Sequence, residues 1–237
     1  MSDRLRISGK DLGAVALPTF CPRCFYIQRR APQGLPWQIF PGIFSSIDSY
    51  SKKLIHSWMD RKGAAPAWLD SIGPIVGYVE PPHYSKFFLV DEETNIHLTG
   101  APDGVFRLAD GSHVIVDYKT AKYTRGQDAL MPVYHTQLNA YAMIGEVCGL
   151  TPVSGLALAY TEPVTDSDTA ATDEIHRLEG FAMHFKATIV PVPLDPGQIL
   201  PLLRRTREIL ELPRAPAGRE GCKDCQRLEG IVGLLGG

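Results

Sequence analysis

The stretch Gly100-Ala-Pro-Asp103-Gly-Val-Phe-Arg-Leu-Ala-Asp110-Gly111-Ser-His-Val114-Ile115-Val116-Asp117-Tyr118-Lys119 decides how this chain folds. Two β-rich runs, 104–108 and 113–119, flank Asp110-Gly111, a pair suited to a tight turn because glycine takes positive φ without a Cβ clash. The segment predicts an antiparallel hairpin. Asp103 and Asp117 stand at equal distances from Asp110, so antiparallel pairing brings them side by side at the open end. Lys119, two residues on, shares the face of Asp117, while Val116 and Tyr118 point the other way. Val114-Ile115-Val116 is a continuous apolar run, as expected of a buried strand. Asp117 and Lys119 therefore emerge from the core.

Working outward, Ile96 to Thr99 and Lys86 to Val90 read as further strands before the hairpin. A helix is predicted from about Ile43 to Lys62, where Ile43, Ile47, Tyr50, Leu54 and Trp58 recur at spacings of three and four. Gly63 is its expected stop. Prolines leave residues 64–82 without a clear pattern, and Pro and Gly between 32 and 42 read as a loop. On the other side, Pro132 to Gly145 reads as a helix and Leu156 to Tyr160 as a buried strand. Thr161 to Asp173 is expected to be an exposed loop, Ala182 to Val192 a strand, and Asp195-Pro196 the start of a helix ending near Leu212. Cys21 to Ile27 reads as a short turn entering an apolar stretch.

The paired carboxylates carry a chemistry. Hard divalent cations take oxygen ligands from one or two carboxylates and keep several waters. Asp103 and Asp117 can supply those oxygens, and the Tyr118 backbone carbonyl a further one. Lys119 beside them could activate a water or stabilise charge developing on a phosphate.

The order Gly100-x-x-Asp103, Asp117-x-Lys119, Gln137-x-x-x-Tyr141 resembles the RecB-like branch of the PD-(D/E)XK nuclease superfamily, over about residues 20 to 226. The resemblance implies an α/β fold with a restriction-endonuclease-like core, a mixed central sheet flanked by helices. It implies that the two acids hold Mg²⁺ or Mn²⁺ and that Lys119 serves catalysis. Gln137 and Tyr141, four residues apart on one helix face, would lie beside the site and help bind DNA. An acid or histidine on the preceding helix often completes the metal site in such proteins. Asp48 is favoured over His56, since Phe40-Pro41-Gly42 precedes it as in similar bacterial proteins. The usual His four residues after that Gly is absent; Ser46 stands there.

Four of the five cysteines form two Cys-x-x-Cys pairs, Cys21/Cys24 and Cys222/Cys225. Four thiolates suit zinc or an iron–sulfur cluster. CRISPR-adaptation nucleases and helicase–nuclease subunits similar to this chain hold a 4Fe–4S cluster with one early and three late cysteines. That favours the cluster, and the two-and-two split here keeps Zn²⁺ as the alternative. The expected organisation is one nuclease domain over 1–237, with 20–30 and 214–226 forming a cysteine lobe that joins the chain ends. Cys148, between Val147 and Gly149, reads as a core residue.

The balance of charge, −2 with a pI near 6.4, does not announce a nucleic-acid binder. DNA contact must come from local clusters, of which Lys122 and Arg125, just after the hairpin, are the best placed. Others are Arg29-Arg30, Lys52-Lys53, Arg61-Lys62 and Arg204-Arg205 with Arg207. Such contacts go to phosphates and carry no sequence reading. No apolar run approaches the roughly 20 residues of a membrane helix, and the N-terminus lacks a signal peptide's apolar stretch, so a cytoplasmic protein is expected. The reading is a metal-dependent deoxyribonuclease acting on single strands or ends, in repair, recombination, phage or CRISPR-related processing, with any helicase motor or CRISPR-adaptation protein supplied as a partner. The competing reading is a non-catalytic nucleic-acid-binding or scaffold subunit that keeps the fold.

Overall fold

A computed structural model describes residues 4–31, 42–124 and 129–235. In chain order it holds β1 (Leu5–Ser8), α1 (Gly9–Val15), α2 (Pro22–Arg30), α3 (Gly42–Lys62), β2 (Ile75–Tyr78), β3 (Phe88–Asp91), β4 (Ile96–Thr99), β5 (Gly104–Leu108) and β6 (His113–Lys119). There follow α4 (Met131–Val147), β7 (Val153–Pro163), α5 (Ser167–Ala170), the small hairpin β8 (His176–Arg177) and β9 (Gly180–Phe181), β10 (Phe185–Val192), α6 (Ile199–Glu211) and α7 (Lys223–Leu235).

The central sheet runs β10-β7-β6-β5-β2. It is mixed: β6 pairs in parallel with β7, and the other pairings are antiparallel. A second sheet runs β1-β4-β3. The hairpin forms in the expected register, with Gly104 opposite Val116, Val105 opposite Ile115 and Phe106 opposite Val114. Its turn places Gly111 at φ 84°, where a side chain would be strained. One step beyond Gly104–Val116, the same register sets Asp103 against Asp117.

Strand β6 lies in the middle of the sheet, so both its faces are covered. Ile115 joins a core with Leu138, Ile144 and Leu158 on the α4 side. Val114, Val116 and Tyr118 join another core with Ile55, Met59, Leu69 and Phe106. The period-two alternation of a strand thus turns Asp117 and Lys119 toward α4. The connection from β6 to β7 runs through α4, the usual way to join parallel neighbours.

Several expectations need correcting. Cys21–Ile27 is not a turn: Pro22 opens α2, a position where its missing N–H costs nothing. The helix expected from Ile43 forms, but its apolar stripe faces out. Ile43, Tyr50, Leu54 and Trp58 are between 40% and 67% exposed, and the buried residues are Ile55 and Met59. Strand β7 runs to Pro163, into the segment expected as loop, and α5 follows. Strand β10 begins at Phe185, later than expected. The stretch 64–82 yields a short 3-10 helix, Ala67–Ile72, and the edge strand β2. The loop expected over 32–42 lies almost wholly outside the described residues.

Candidate active site

The hairpin's open end gathers the carboxylates. Asp103 is half-buried and accepts a hydrogen bond on Oδ2 from the Tyr118 backbone N–H at 2.8 Å. That bond continues the ladder by one rung and fixes the Asp103 side chain against β6. Asp117 is only 3% exposed. Its Oδ2 is ion-paired with Lys119 Nζ, and its Oδ1 accepts a bond from Gln137 Nε2 at 3.0 Å. The same Gln137 nitrogen donates to the Tyr141 hydroxyl at 2.9 Å. Both residues lie on α4, one turn apart, so the helix clamps the strand's carboxylate from above. Lys119 Nζ sits 4.4 Å from the centre of the Tyr134 ring, also on α4. Asp48, on α3, accepts a bond from Thr120 Oγ1 at 3.0 Å.

Burial and like charge dominate the electrostatics of the carboxylates. Burial, and then the charge of Asp117, pushes the Asp103 carboxyl up to about 7; the Tyr118 N–H and Lys119 oppose that rise. Burial also raises Asp48, against the Thr120 hydrogen bond and Lys119. Burial and the charge of Asp117 raise the Tyr141 phenol. Two carboxylates crowded in a low-dielectric pocket cannot both ionise cheaply. A divalent cation would remove that cost, and Asp103 and Asp117 carry the hard oxygens it takes; among the described residues only the four cysteines draw three or more ligand atoms as close as 4.8 Å.

The structure brings Asp48, Asp103, Asp117, Lys119, Gln137 and Tyr141 together and leaves His56 elsewhere. His56 stacks on Tyr78, with ring centroids 3.7 Å apart, and its Nδ1 lies 3.2 Å from Glu80. Lys122 is exposed and stands 3.7 Å from Glu162. Arg125 lies outside the described residues. Among the other cationic clusters, Arg29 pairs with Asp11, Lys52 with Glu80, Arg204 with Glu93 and Arg207 with Glu211. The first three tie separate segments together, and the last is an i,i+4 pair within α6. Tyr134 and Thr120 escaped the sequence reading. The first had a signal, since 134, 137 and 141 share a helix face.

The second cluster is of sulfur. Cys21, Cys24, Cys222 and Cys225 have all their Sγ atoms within 4.8 Å of one another. The distances are 3.5 Å for Cys21–Cys225, 3.6 Å for Cys24–Cys222 and 3.5 Å for Cys24–Cys225. Burial pushes the Cys21 thiol up, but bonds from the Cys24 and Arg219 backbone and from the other thiols outweigh it and bring it to about 7. Burial and the neighbouring sulfurs push Cys24 up, and burial takes Cys225 to about 11. Four thiols of which one ionises readily make a ligand set that a soft or borderline cation would complete. Cys148 is half-buried at the end of α4 and packs on the main core.

A cavity of about 1070 Å³ opens on both clusters. No helix among the described residues is long and apolar enough to cross a membrane.

Comparison with known proteins gives one family. The model of the PD-(D/E)XK nuclease superfamily matches residues 49–227, well over half of the chain. No curated protein matches. The crystal structure of SSO0001 is similar over 91% of this chain and 81% of that one, at 15% identity and a TM-score of 0.40, which is too weak to carry an argument.

Proposed function

Because the chain belongs to the PD-(D/E)XK nuclease superfamily, we propose that it is a metal-dependent deoxyribonuclease of the RecB-like type, hydrolysing phosphodiesters in single strands or at DNA ends. The observation that supports this most is the hairpin register. It sets Asp103 against Asp117, with Lys119 paired to Asp117 and Gln137 holding the carboxylate's other oxygen. A module that only binds phosphate has no use for crowded carboxylates, which repel it.

In this reading Asp103, Asp117 and the Tyr118 carbonyl hold Mg²⁺ or Mn²⁺, and Asp48 adds a third carboxylate nearby. The ion, when bound, supplies Lewis-acid polarisation of the phosphate. The chain's own groups do the rest. Lys119, kept between Asp117 and the Tyr134 ring, places a positive charge where the phosphate's negative charge grows. Gln137 fixes the Asp117 carboxylate and is itself fixed by Tyr141. The whole chain reads as one nuclease domain, with 20–30 and 214–226 as its metal-binding lobe. For that lobe the sulfur spacing supports a single tetrahedral ion. Four ligands at about 2.3 Å from zinc lie roughly 3.8 Å apart, whereas an iron–sulfur cubane spreads its thiolates farther. Zinc is therefore preferred here to the cluster favoured by resemblance.

The test is cleavage of labelled single- and double-stranded DNA with Mn²⁺, Mg²⁺ or chelator. Asp117→Ala and Lys119→Ala should each lower the rate by about 100-fold or more while remaining folded. Metal analysis of the purified protein should find one zinc and a colourless sample. A folded, metal-replete wild type that binds DNA and never cuts it would move the non-catalytic subunit to first place.

A further inference from the structure

We propose that the cysteine lobe forms a phosphate-binding wall of the substrate cleft, in which Arg219 and Lys223 hold the backbone of a single DNA strand running away from the carboxylates. The inference rests on the nuclease reading of the carboxylate end. One cavity is lined by Asp103 and Lys119 and, within the same space, by Cys21, Cys222, Arg219 and Lys223. A strand with its scissile phosphate at Asp103 therefore meets the cysteine knuckles as it extends.

What distinguishes this wall is charge left over. Arg23 pairs with Glu229, Arg29 with Asp11, Arg204 with Glu93 and Arg227 with Asp224. Arg219 does otherwise. Its Nε donates to the Thr19 carbonyl at 3.1 Å and its Nη1 to the Glu220 carbonyl at 2.9 Å. Carbonyl acceptors fix a guanidinium without neutralising it. The Arg219 backbone N–H in turn donates to Cys21 Sγ at 3.3 Å. Lys223 follows Cys222 directly, is exposed, and has no carboxylate partner among the described residues. Two unneutralised cations, each set by a cysteine of the cluster, thus face a cavity in a chain whose net charge is −2. Phe44 lines the same cavity, while Phe20 is buried against Arg205 and the Tyr134 ring faces Lys119. Cations in a groove that also offers an aromatic ring suit a single strand, whose phosphates and bare base faces must both be met.

The experiment is binding of a dye-labelled single-stranded oligothymidylate by fluorescence anisotropy, over salt from about 50 to 200 mM, without added divalent cation. Wild type is compared with Lys223→Gln, Arg219→Gln, the double variant and Arg177→Gln, an exposed cation that does not line the cavity. Each lost phosphate contact should weaken binding and lower the salt slope by about 0.7, and the double variant by about 1.4, while Arg177→Gln binds as wild type. Lys223→Gln breaks no ion pair among the described residues and serves if Arg219→Gln loosens the lobe. An unchanged slope in the double variant, or an equal loss in Arg177→Gln, overturns the proposal. Alongside, wild type is given bis(p-nitrophenyl) phosphate with Mn²⁺, a diester too small to reach the wall. Turnover there with an unchanged slope sinks the wall alone. No turnover with a reduced slope sinks the nuclease reading and leaves the wall.

Discussion

At the scale of single residues, Asp103 sets a pH dependence whose sign can be worked out. Its carboxyl is raised to about 7, against an ordinary value of about 3.9. Between those values the folded chain binds more protons than the unfolded one, so this group's contribution to stability falls as pH rises through the window. A divalent ion binds the deprotonated form and offsets the loss. The rise in melting temperature on adding Mn²⁺ should therefore be larger near pH 8 than near pH 5.5, where a proton competes for the site. Scanning fluorimetry at both pH values reads it, and Asp103→Asn should flatten the difference; equal shifts in wild type would count against a cation at these carboxylates. Tyr134 permits a second prediction. The ring under Lys119 Nζ is worth about 1 kcal/mol at a partly desolvated site, about a five-fold change in rate. Tyr134→Phe keeps the ring face and should lose less than Tyr134→Ala, which should lose roughly that factor, with single-turnover rates as the measure.

Elements differ in how much of them the sequence shows. The β5–β6 hairpin was legible because its information is local: the tight turn Ala109-Asp110-Gly111, closed by Leu108 against Ser112, fixes the register, and the register fixes which side chains meet. Helix α3 was legible as a helix, yet its periodic stripe of Tyr50, Leu54 and Trp58 faces solvent, since periodicity gives a face and not what covers it. Strand β1 was not legible. Its four residues pair in parallel with Ile96–Thr99, far along the chain, and nothing near Leu5 signals that partner. In the site, Asp48 and Gln137 were found through resemblance, whereas Thr120 carries no pattern beyond its place after Lys119. Packing between elements offers its own test. A Cβ on Gly100 would fall 2.5 Å from the Tyr141 ring, and one on Gly13 would fall 2.6 Å from the Val133 carbonyl. Both Gly100→Ala and Gly13→Ala should cost about 1–3 kcal/mol by overpacking. Only the first meets the Tyr141 ring itself, and through it Gln137 and Asp117; the second presses on the Val133 backbone near the start of the same helix. Denaturant unfolding should show similar losses in the two variants, with the fall in cleavage rate confined to Gly100→Ala; equal activities would mean that the α4 clamp does not position Asp117.

For the whole molecule, the question is what holds the two ends of the chain together. Cys24 and Cys225 are 201 residues apart, and their sulfurs lie 3.5 Å from each other. A crosslink that closes a loop of this length removes denatured-state entropy worth about 5 kcal/mol. Total stability for a folded domain is about 5–15 kcal/mol, so a metal held by the four sulfurs would supply a large share of it. Other contacts also join the ends: Arg23 with Glu229, the Tyr26 hydroxyl with the Leu212 carbonyl at 3.0 Å, Arg219 Nε with the Thr19 carbonyl, and the packing of Leu12, Val15 and Phe25 with Leu203 and Leu210 of α6 in the main core. Cys225→Ser should therefore lower the unfolding free energy by several kcal/mol and expose the segment after α6 to protease. The carboxylate hairpin is held by β7 and α4 and not by the lobe, so folded Cys225→Ser at low temperature should keep its Mn²⁺-dependent turnover of a small diester while binding oligothymidylate more weakly. Loss of both together would show that the lobe supports the site as well as the strand; loss of neither would show that the four sulfurs hold nothing.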